Sequence, residues 1–311
     1  QAVTYYVNDA STNQDMYCSQ PGTNTANGLF PNTPMDSLQA LLDRYDLEPG
    51  DRILVDTGYY LVTNGLRLVS DDNGSSNLFV NIVGSRNLAG GGTVFDRAST
   101  NIGSLVEADP VVDILQMRGI GLSYLTLEGG NSGIAMTRVN DSCISNVVIR
   151  EGGLDGIRVV QGSNFTIDRS VISRMLGRGL NLLAANTVNV LNSIIWSNGT
   201  TAIEGTGSAL LTVSNSVLHA YASNRCYALL QQDGFVADYN HYYLEGAARP
   251  AIVDGTAVDG MPQWNALTGQ DLHTSVGDPL FADAGGYDFH PRSPLGRYVT
   301  ALGGYLVTNE A

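Results

Sequence analysis

The sequence predicts an all-β fold: a right-handed parallel β-helix of about eight coils, with an N-terminal capping helix and an irregular C-terminal cap. Short Val/Ile/Leu runs alternate with clusters of Gly, Asn, Ser and Thr, and Gly alone supplies 36 of the 311 residues. A hydrophobic pattern recurs every 23 residues. Within that repeat no run of ten or more residues has the 3.6-residue period of a helix.

The repeat is clearest in the middle of the chain. Apolar residues stand at the centre of four successive groups, Ile134, Ile157, Leu180 and Ile203, each 23 residues after the last, and one more step reaches Cys226. A second series has the same interval: Val148, Val171, Ile194 and Val217. Each unit is therefore predicted to be one coil of short strands, stacked about 4.8 Å from the next coil.

Several turns between these strands carry Asn or Asp at matching positions. Asn192 and Asn215 are each followed by Ser, and Asn146 and Asp168 lie near the same register. Asn tolerates the left-handed backbone conformation and can bond its own backbone. We interpret these residues as structural turn residues whose side chains form ladders from coil to coil.

The N-terminal segment is predicted to cover the first coil with a helix, because an open solenoid end exposes unpaired strand groups. Asn32-Thr33-Pro34 would supply the cap and a first-turn proline. An apolar stripe follows: Leu38, Leu41, Leu42 and Tyr45. The helix should end before Glu48, and the first regular strand should begin at Arg52.

We expect one domain over residues 1–311, in three parts. Residues 1–50 would form the N-terminal strand and capping helix, residues 51–246 the coils, and residues 247–311 the C-terminal cap. The last boundary is set where the period fails, after about Gly246.

Composition limits the classes of partner. The formal charge is −14, and all 16 basic residues are Arg. Such a charge argues against nucleic acid and against anionic membrane surfaces as partners, but an anionic sugar polymer could bind clustered Arg. The expected partner is a polysaccharide, and the expected state is a monomer.

The cysteines and the start of the chain add two expectations. Cys18, Cys143 and Cys226 lack metal-ligand spacing, and Cys143 and Cys226 are predicted to be buried in the solenoid interior. The sequence requires no cofactor and predicts no metal ligands, although a Ca²⁺ requirement is left open. The polar, strand-like start at Gln1 is compatible with a processed chain, so a secreted or cell-surface location is expected.

These features resemble the pectate-lyase-like superfamily of right-handed β-helix proteins. The start of the chain resembles that group in three segments: Tyr5-Tyr6-Val7, Ser37-Leu38-Gln39-Ala40 leading to Pro49-Gly50-Asp51, and Asp56-Thr57-Gly58-Tyr59-Tyr60. The tail resembles it in Asp278-Pro279-Leu280-Phe281 and Ser293-Pro294. The superfamily includes polysaccharide lyases, glycoside hydrolases, epimerases, carbohydrate-binding modules and adhesins, so the resemblance implies the fold more strongly than an activity.

The enzyme motifs of that superfamily are missing or misplaced. Gly-His-Gly does not occur, and the pair Asp71-Asp72 lies in a turn-like cluster of the earliest coils. An Arg-x-Pro-x-x-Arg pattern runs from Arg292 to Arg297 but lies in the tail, where we interpret it as a chance match. The chain contains no Lys to act as a base. The resemblance therefore transfers no catalytic residue.

Strand alternation instead suggests a site on one outer face. If the apolar positions point inward, the residue after each points outward, in a column of Ala135, Arg158, Asn181, Glu204 and Tyr227, with Asp113 before it. A second column at the adjoining turn comprises Asp155, Arg178, Thr201 and Asn224. Six of the 16 Arg fall between Arg138 and Arg178, which favours a concentration of positive charge there.

We expect Glu204, Asp155 and Arg178 to be catalytic. The expected substrate-binding residues are Arg158, Asn181, Tyr227 and Asp113. Carboxylates can act as general acid or base, and Arg binds carboxylate or sulfate groups through a two-pronged hydrogen bond.

The alternative for these columns is a solvated face on which Asp155 and Arg178 form a cross-coil ion pair. If the face is only that, a site beside the tail, around Asp271, His273 and Arg292, is the next candidate. The favoured function is a polysaccharide lyase or glycoside hydrolase that acts on or binds a polysaccharide. The alternative function is a non-catalytic structural, adhesive or carbohydrate-binding module of a larger surface protein.

Overall fold

The computed structural model describes residues 2–98, 109–231 and 234–292, and the short strands Tyr298–Val299 and Gly304–Tyr305. The chain divides into two units, Gln1–Ser275 and Val276–Ala311. The first unit is built from three sheets, here called A, B and C. The chain passes from sheet C to sheet A to sheet B and then returns to sheet C one coil later.

Within the part of the chain that the structure describes, each sheet has nine short strands. Sheet A comprises Thr4–Val7, Arg52–Val55, Val80–Val83, Ile120–Ser123, Asn140–Ser145, Ser163–Asp168, Asn186–Leu191, Leu210–Ser214 and Gly234–Asp238. Sheet B comprises Gly58–Leu61, Thr93–Asp96, Leu125–Glu128, Val148–Arg150, Val171–Ser173, Ile194–Trp196, Val217–Ala220, His241–Leu244 and Ser275–Val276. Sheet C comprises Leu66–Leu68, Pro110–Leu115, Ser132–Thr137, Asp155–Val160, Arg178–Leu183, Thr201–Thr206, Arg225–Leu230, Arg249–Val253 and the antiparallel Thr256–Val258.

The prediction of a parallel β-solenoid is confirmed. The regular part makes six turns of 22 to 24 residues, as the starts of seven sheet C strands show: Pro110, Ser132, Asp155, Arg178, Thr201, Arg225 and Arg249. Before Pro110 the turns are lengthened by irregular segments and by two 3₁₀ helices, Ser70–Asp72 and Leu88–Gly90. The number of regular turns is therefore lower than the eight coils expected.

The predicted interior stack is confirmed. Ile134 is the register partner of Ile157, Ile157 of Leu180, and Leu180 of Ile203, and all four side chains are fully buried. Burial of an Ile or Leu side chain contributes about 1.5–3 kcal/mol each. Because every coil adds such residues, the stack forms one continuous apolar core.

The next step of the stack differs from the prediction. Ile203 is paired with Tyr227 and not with Cys226, and both Tyr227 and Cys226 are fully buried. Ile195 and Leu218 still pair at the 23-residue interval, so the extra residue lies between Leu218 and Tyr227. A one-residue shift moves a side chain to the other face of a strand. Tyr227 is therefore interior, the prediction that it faces outward is wrong, and Ala228 takes its place.

Of the two cysteines predicted to be buried, only one is. Cys226 is buried as expected, whereas Cys143 is only half-buried. Cys143 lies between the buried residues Ser142 and Ile144, so strand alternation turns its side chain to the outer face of sheet A. Cys18, Cys143 and Cys226 are all free thiols.

The corner between sheets A and B carries a side-chain ladder. Asn146, Asn192 and Asn215 have left-handed backbones there, as expected from their sequence. One predicted cross-coil bond between these turn residues is present, from Asn192 Nδ2 to Asp168 Oδ1 at 2.8 Å. The residues that follow form a second ladder. The Oγ of Ser193 accepts the N–H of Ser170 at 3.2 Å, and the Oγ of Ser216 accepts the N–H of Ser193 at 3.2 Å. Each coil thus satisfies a buried backbone donor of the preceding coil.

The capping helix begins later than predicted. It spans Leu38–Leu42, and the Oγ of its N-cap Ser37 accepts the N–H of Ala40 at 3.2 Å. The start near Asn32 is wrong because Met35 exchanges backbone hydrogen bonds with the first strand, donating to Tyr6 and accepting from Asn8. The stripe is nevertheless buried at Leu38, Leu41 and Leu42, and Tyr45 packs on Tyr5 with ring centroids 4.9 Å apart.

The first unit is closed at its other end by aromatic packing. The helix Met261–Thr268 places the fully buried Trp264 against Tyr227, with ring centroids 5.4 Å apart and an angle of 12° between the planes. The buried carboxylate of Asp271 accepts from Trp264 Nε1 at 2.9 Å and from the Tyr242 hydroxyl at 2.7 Å. Asp271 therefore serves the packing of this end, which does not favour the alternative site beside the tail.

Among the described residues of the second unit there are two antiparallel pairs. Phe281–Asp283 pairs with Asp288–Pro291 around the 3₁₀ helix Ala284–Gly286, and Tyr298–Val299 pairs with Gly304–Tyr305. Arg292 donates from Nη2 to the Ala282 carbonyl at 2.8 Å. The rest of the Arg-x-Pro-x-x-Arg pattern, including Pro294 and Arg297, lies outside the described residues.

Candidate functional site on the outer face of sheet C

The register of sheet C defines two columns of polar residues. The outer column consists of residues that are register partners on neighbouring strands: Arg67, Asp113, Ala135, Arg158, Asn181, Glu204 and Ala228. The edge column, where each coil enters the sheet, comprises Ser132, Asp155, Arg178, Thr201, Arg225 and Arg249. The predicted columns are thus present, except that Ala228 replaces Tyr227 and Arg225 replaces Asn224.

Four of the expected site residues form one hydrogen-bonded network. The guanidinium of Arg178 donates to both carboxylate oxygens of Asp155, from Nε at 2.7 Å and from Nη2 at 3.2 Å. Its Nη1 donates to Glu204 at 2.8 Å, and Asn181 Nδ2 donates to Asp155 at 2.8 Å. The predicted cross-coil pair of Asp155 and Arg178 is therefore present and is extended on both sides.

Exposure separates the roles that these four side chains can take. The Asp155 side chain is 0% exposed, and both of its oxygens are used by Arg178 and Asn181. Asn181 is buried as well, whereas the side chains of Arg178 and Glu204 are 24% and 29% exposed. Glu204 is therefore the carboxylate of the network that a ligand can reach. Asp155 and Asn181 can only hold Arg178 in place.

The charge state of Arg178 follows from its surroundings. Burial disfavours the charged guanidinium, but the hydrogen bonds and negative charges of Asp155 and Glu204 outweigh that effect and raise the pKa of Arg178. One cation thus lies between two carboxylates. The network carries a net negative charge, which suits the attraction of a proton or a hydroxyl group.

Asp113 lies at the other end of the outer column. Burial raises the pKa of its carboxyl group, and the positive charge of Arg67 acts in the opposite direction. Arg67 is also its register partner on the preceding strand. A hollow of about 300 Å³ adjoins this end of the sheet, lined by Arg67, Val69, Ser70, Leu115, Gln116 and Thr137.

Several buried polar atoms of sheet C have no hydrogen-bond partner. Within the described part of the chain six side-chain atoms are in this position, and three of them are Asn181 Oδ1, Thr201 Oγ1 and Arg225 Nε. An unmet buried donor or acceptor costs about 1–3 kcal/mol.

The register adds cations that the sequence alone had not identified as site residues. Arg67 extends the outer column, and Arg225 and Arg249 extend the edge column. Arg225 stands one place after Asn224, the residue that an unbroken 23-residue period selects. The extra residue in that coil concealed it.

Charge distinguishes sheet C from the other two sheets. Its strands hold five Arg and three carboxylates: Arg67, Arg158, Arg178, Arg225, Arg249, Asp113, Asp155 and Glu204. The strands of sheet A hold Arg52 against Asp141, Asp168 and Asp238, and those of sheet B hold Arg150 against Asp96 and Glu128. Sheet C is thus positive by formal charge on a chain of net charge −14.

A second hollow, of about 350 Å³, lies near the capping helix. It is lined by polar and aromatic residues that include Asp9, Asp36, Ser37, Gln39 and Tyr59, and by no Arg. This lining offers no cation to an anionic ligand. The hollow therefore does not combine volume with mixed charge as sheet C does.

Among the described residues, no three His, Cys, Asp or Glu side chains converge in a way that could hold a metal ion. None of the described helices is long and apolar enough to cross a membrane.

Comparisons with known proteins agree with this architecture. The family model for the right handed beta helix region matches residues 114–246. A search of the curated proteins finds no match. Among solved structures, pectate lyase Pel9A is similar with a TM-score of 0.58 and 13% identity, over 90% of this chain and 84% of that chain.

Two other similar structures are lyases by name. An alginate lyase from Paenibacillus sp. str. FPU-7 has a TM-score of 0.50 and 14% identity, over 78% of this chain and 92% of its own. A rhamnogalacturonan lyase has a TM-score of 0.51 and 11% identity, over 80% of this chain and 64% of its own. At such identities the likeness concerns the fold, and the chain therefore has the right-handed parallel β-helix fold of the pectate-lyase-like kind.

Proposed function

We propose that this protein acts on an anionic polysaccharide, which it binds along the outer face of sheet C. The observation that carries the proposal is the excess of Arg on sheet C in an otherwise acidic chain. Arg recognises carboxylate and sulfate groups through paired N–H donors. Four of five neighbouring sheet C strands carry one Arg each, Arg158, Arg178, Arg225 and Arg249, which matches a polymer with repeating anionic groups.

The fold supports this class of ligand. By their names, the three similar structures act on pectate, alginate and rhamnogalacturonan, which are uronate-containing polymers. Such polymers occur outside cells, so the proposal includes a secreted or cell-surface location. A monomer suffices, because one chain supplies the whole face.

The geometry favours elimination over hydrolysis. A glycosidase needs two carboxyl groups about 5–9.5 Å apart on either side of the scissile bond. Asp155 is buried beneath Arg178, and Asp113 is four strands from Glu204, which is about 19 Å at the usual strand spacing. Among the residues that the structure describes, Glu204 therefore lacks an accessible carboxylate partner on this face.

In the proposed elimination, Glu204 removes the proton at C5 of a uronate. The C4–O bond then breaks, a C4=C5 double bond forms, and the leaving oxygen takes a proton from water. Arg158, two strands away on the outer column, would bind the uronate carboxylate and lower the cost of the carbanion. Asp155, Asn181 and Arg178 act as positioning residues that hold Glu204.

A second candidate function is polysaccharide binding without cleavage, as in a structural or adhesive module. The specific observation in its favour is that both carboxylates of the network already bind Arg178. A base held in an ion pair is less available to a substrate proton. Elimination and binding predict different effects of the same substitution.

The test is Glu204→Gln, assayed on polygalacturonate, alginate and rhamnogalacturonan. If elimination occurs, the absorbance of new unsaturated uronates should fall at least a hundredfold, as expected for loss of a general base. Polymer binding and the melting temperature should change little. Glu128→Gln is the matched control, because Glu128 also accepts from an Arg of a neighbouring coil, Arg150, at 2.6 Å, and has a similar exposure of 22%.

Binding is tested with Arg158→Ala against the control Arg118→Ala, an Arg on the sheet A side that is paired with Asp141. Only Arg158→Ala should weaken polymer binding, and salt should weaken the wild type. Unchanged binding in Arg158→Ala would refute the proposed face. Normal binding with no product from the wild type would establish the second candidate function.

A further inference from the structure

An aromatic cluster lies where the chain passes from sheet B to sheet C. It consists of Trp196, His219, Tyr221 and Tyr243, here called the aromatic corner. His219 is 4% exposed, while the three larger rings are half-buried and reach the surface around it. The cluster lies outside the site described above.

The rings are close and nearly parallel. The His219 ring centroid lies 4.1 Å from that of Trp196 and 5.1 Å from that of Tyr243, with angles of 33° and 21° between the planes. The Trp196 and Tyr243 centroids are 5.7 Å apart at 23°, and Tyr221 is 5.8 Å from His219. The rings therefore stack on one another, and those of Trp196, Tyr221 and Tyr243 are partly exposed.

Hydrogen bonds hold the His219 ring in place and position the carboxylate of Glu245 at the aromatic corner. Nδ1 of His219 accepts the N–H of Ser197 at 3.1 Å, so the proton of the neutral ring is on Nε2 and is donated to Glu245 Oε2 at 2.9 Å. The Tyr243 hydroxyl donates to the other oxygen of Glu245 at 2.9 Å. The Glu245 side chain is 46% exposed, so a hydroxyl donor can also reach it.

In two successive coils, only a few residues separate the aromatic corner from the following strand of sheet C. Only residues 197–200 separate Trp196 from the sheet C strand that carries Glu204, and only residues 221–224 separate sheet B from the strand that begins at Arg225. The residue that breaks the 23-residue period also lies here, between Leu218 and Tyr227. The coil is thus lengthened at the point where the rings cluster.

From this juxtaposition we propose that the aromatic corner binds a neutral sugar unit of the polymer whose anionic units bind sheet C. The C–H face of a pyranose packs on flat aromatic rings, and Glu245 accepts hydroxyl hydrogen bonds. The aromatic corner contains no Arg to offset the negative charge of Glu245, unlike the sheet C face, so a uronate carboxylate is disfavoured and the unit bound here is neutral. The proposal rests on the proposed function and extends it, because it selects polymers that contain both neutral and acidic sugars.

The geometry offers a direct optical readout. The chain has two Trp residues, and Trp264 is fully buried in the closed end. Titration with a neutral oligosaccharide should therefore change the emission of Trp196, and Trp196→Phe should remove most of that change. A titration that leaves the emission of the wild type unaltered would overturn the proposal.

The specificity test compares polygalacturonate, in which every unit is acidic, with rhamnogalacturonan, in which a neutral sugar alternates with galacturonate. The wild type should bind rhamnogalacturonan more tightly. Trp196→Ala and Tyr243→Ala should weaken that binding about five- to tenfold and leave polygalacturonate binding unchanged. Tyr239→Ala is the matched control, because Tyr239 also stacks on a histidine, His273, with centroids 5.0 Å apart.

The two proposals can fail separately. If Arg158→Ala weakens polygalacturonate binding but the Trp196 and Tyr243 variants bind both polymers normally, the aromatic corner is refuted and the proposed function stands. If a neutral oligosaccharide changes Trp196 emission while no acidic polymer binds, the aromatic corner is supported as a neutral-sugar site and the proposed binding of anionic units to sheet C is refuted.

Discussion

The serine column at the corner between sheets A and B differs from the outer column of sheet C. The two columns differ in how much the residue type changes from one coil to the next. At the corner between sheets A and B, successive coils place Ser170, Ser193 and Ser216 at the same position, each accepting a backbone N–H of the coil before it. On the outer column of sheet C the residue changes at every step, including Arg158, then Asn181, then Glu204.

The difference separates positions that the fold requires from positions that it leaves open. A backbone donor that recurs in each coil needs a side-chain acceptor each time, so the corner uses Ser170, Ser193 and Ser216 and, one coil later, the Oδ1 of Asn240. The outer face of sheet C has no such recurrent need. Its variation in charge is therefore available for recognition of a ligand.

The largest loss of stability should come from a substitution in the apolar interior of the solenoid. Ile157→Asp places a charge in a fully buried position, and the free energy of unfolding should fall by more than about 4 kcal/mol. Urea unfolding followed by circular dichroism measures the loss. Val160→Asp, on the same strand but half-buried, is the control, and an equal loss in both variants would contradict the assigned interior.

A smaller loss of stability should follow Ser193→Ala in the ladder. The variant removes the acceptor of the buried Ser170 N–H, which should cost about 1–3 kcal/mol without altering polymer binding. Ser145→Ala, at a half-buried position of sheet A, should cost less. The contrast between the two columns would be lost if Ser193→Ala weakened binding and left the urea midpoint unchanged.

The smallest effect should come from Asp113→Asn on the outer column. Because burial raises the folded pKa of Asp113, the protonated form is favoured in the folded state and stability falls as pH rises from the unfolded pKa through the folded one. Above that window the Asn variant should be slightly more stable than the wild type, by about 0.5 kcal/mol or less. Melting curves from pH 3 to pH 8 test this sign.

At pH values below the unfolded pKa the two proteins should converge. A variant that became less stable than the wild type at neutral pH would show that the ionised Asp113 stabilises the fold. In that case the outer column would be structural at this step, as the ladder is.

The regular coils could be predicted from the sequence because each repeats the same apolar positions. Ile134, Ile157, Leu180 and Ile203 stack as the 23-residue interval requires. The interval could not locate the extra residue before Tyr227. Cys226 and Tyr227 are both apolar enough for the interior, so alternation alone did not distinguish them.

The candidate site was predictable in its columns and not in its accessibility. The spacing placed Asp155, Arg178, Asn181 and Glu204 on neighbouring strands, where the structure has them. That Asp155 is 0% exposed depends on how the long Arg178 side chain folds over it, which no spacing encodes. The aromatic corner was missed because Trp196, His219 and Tyr243 recur at unequal intervals of 23 and 24 residues.

The constant coil length also makes the molecule divisible. Removal of one 23-residue period, such as residues 155–177, would bring Ile134 beside Leu180 and Ser132 beside Arg178 without a change of register. The interior stack and the serine ladder would remain continuous, while sheet C would lose the one strand that carries Asp155 and Arg158. A protein built in this way can gain or lose a single recognition element by insertion or deletion of one coil, because the remaining coils keep their register.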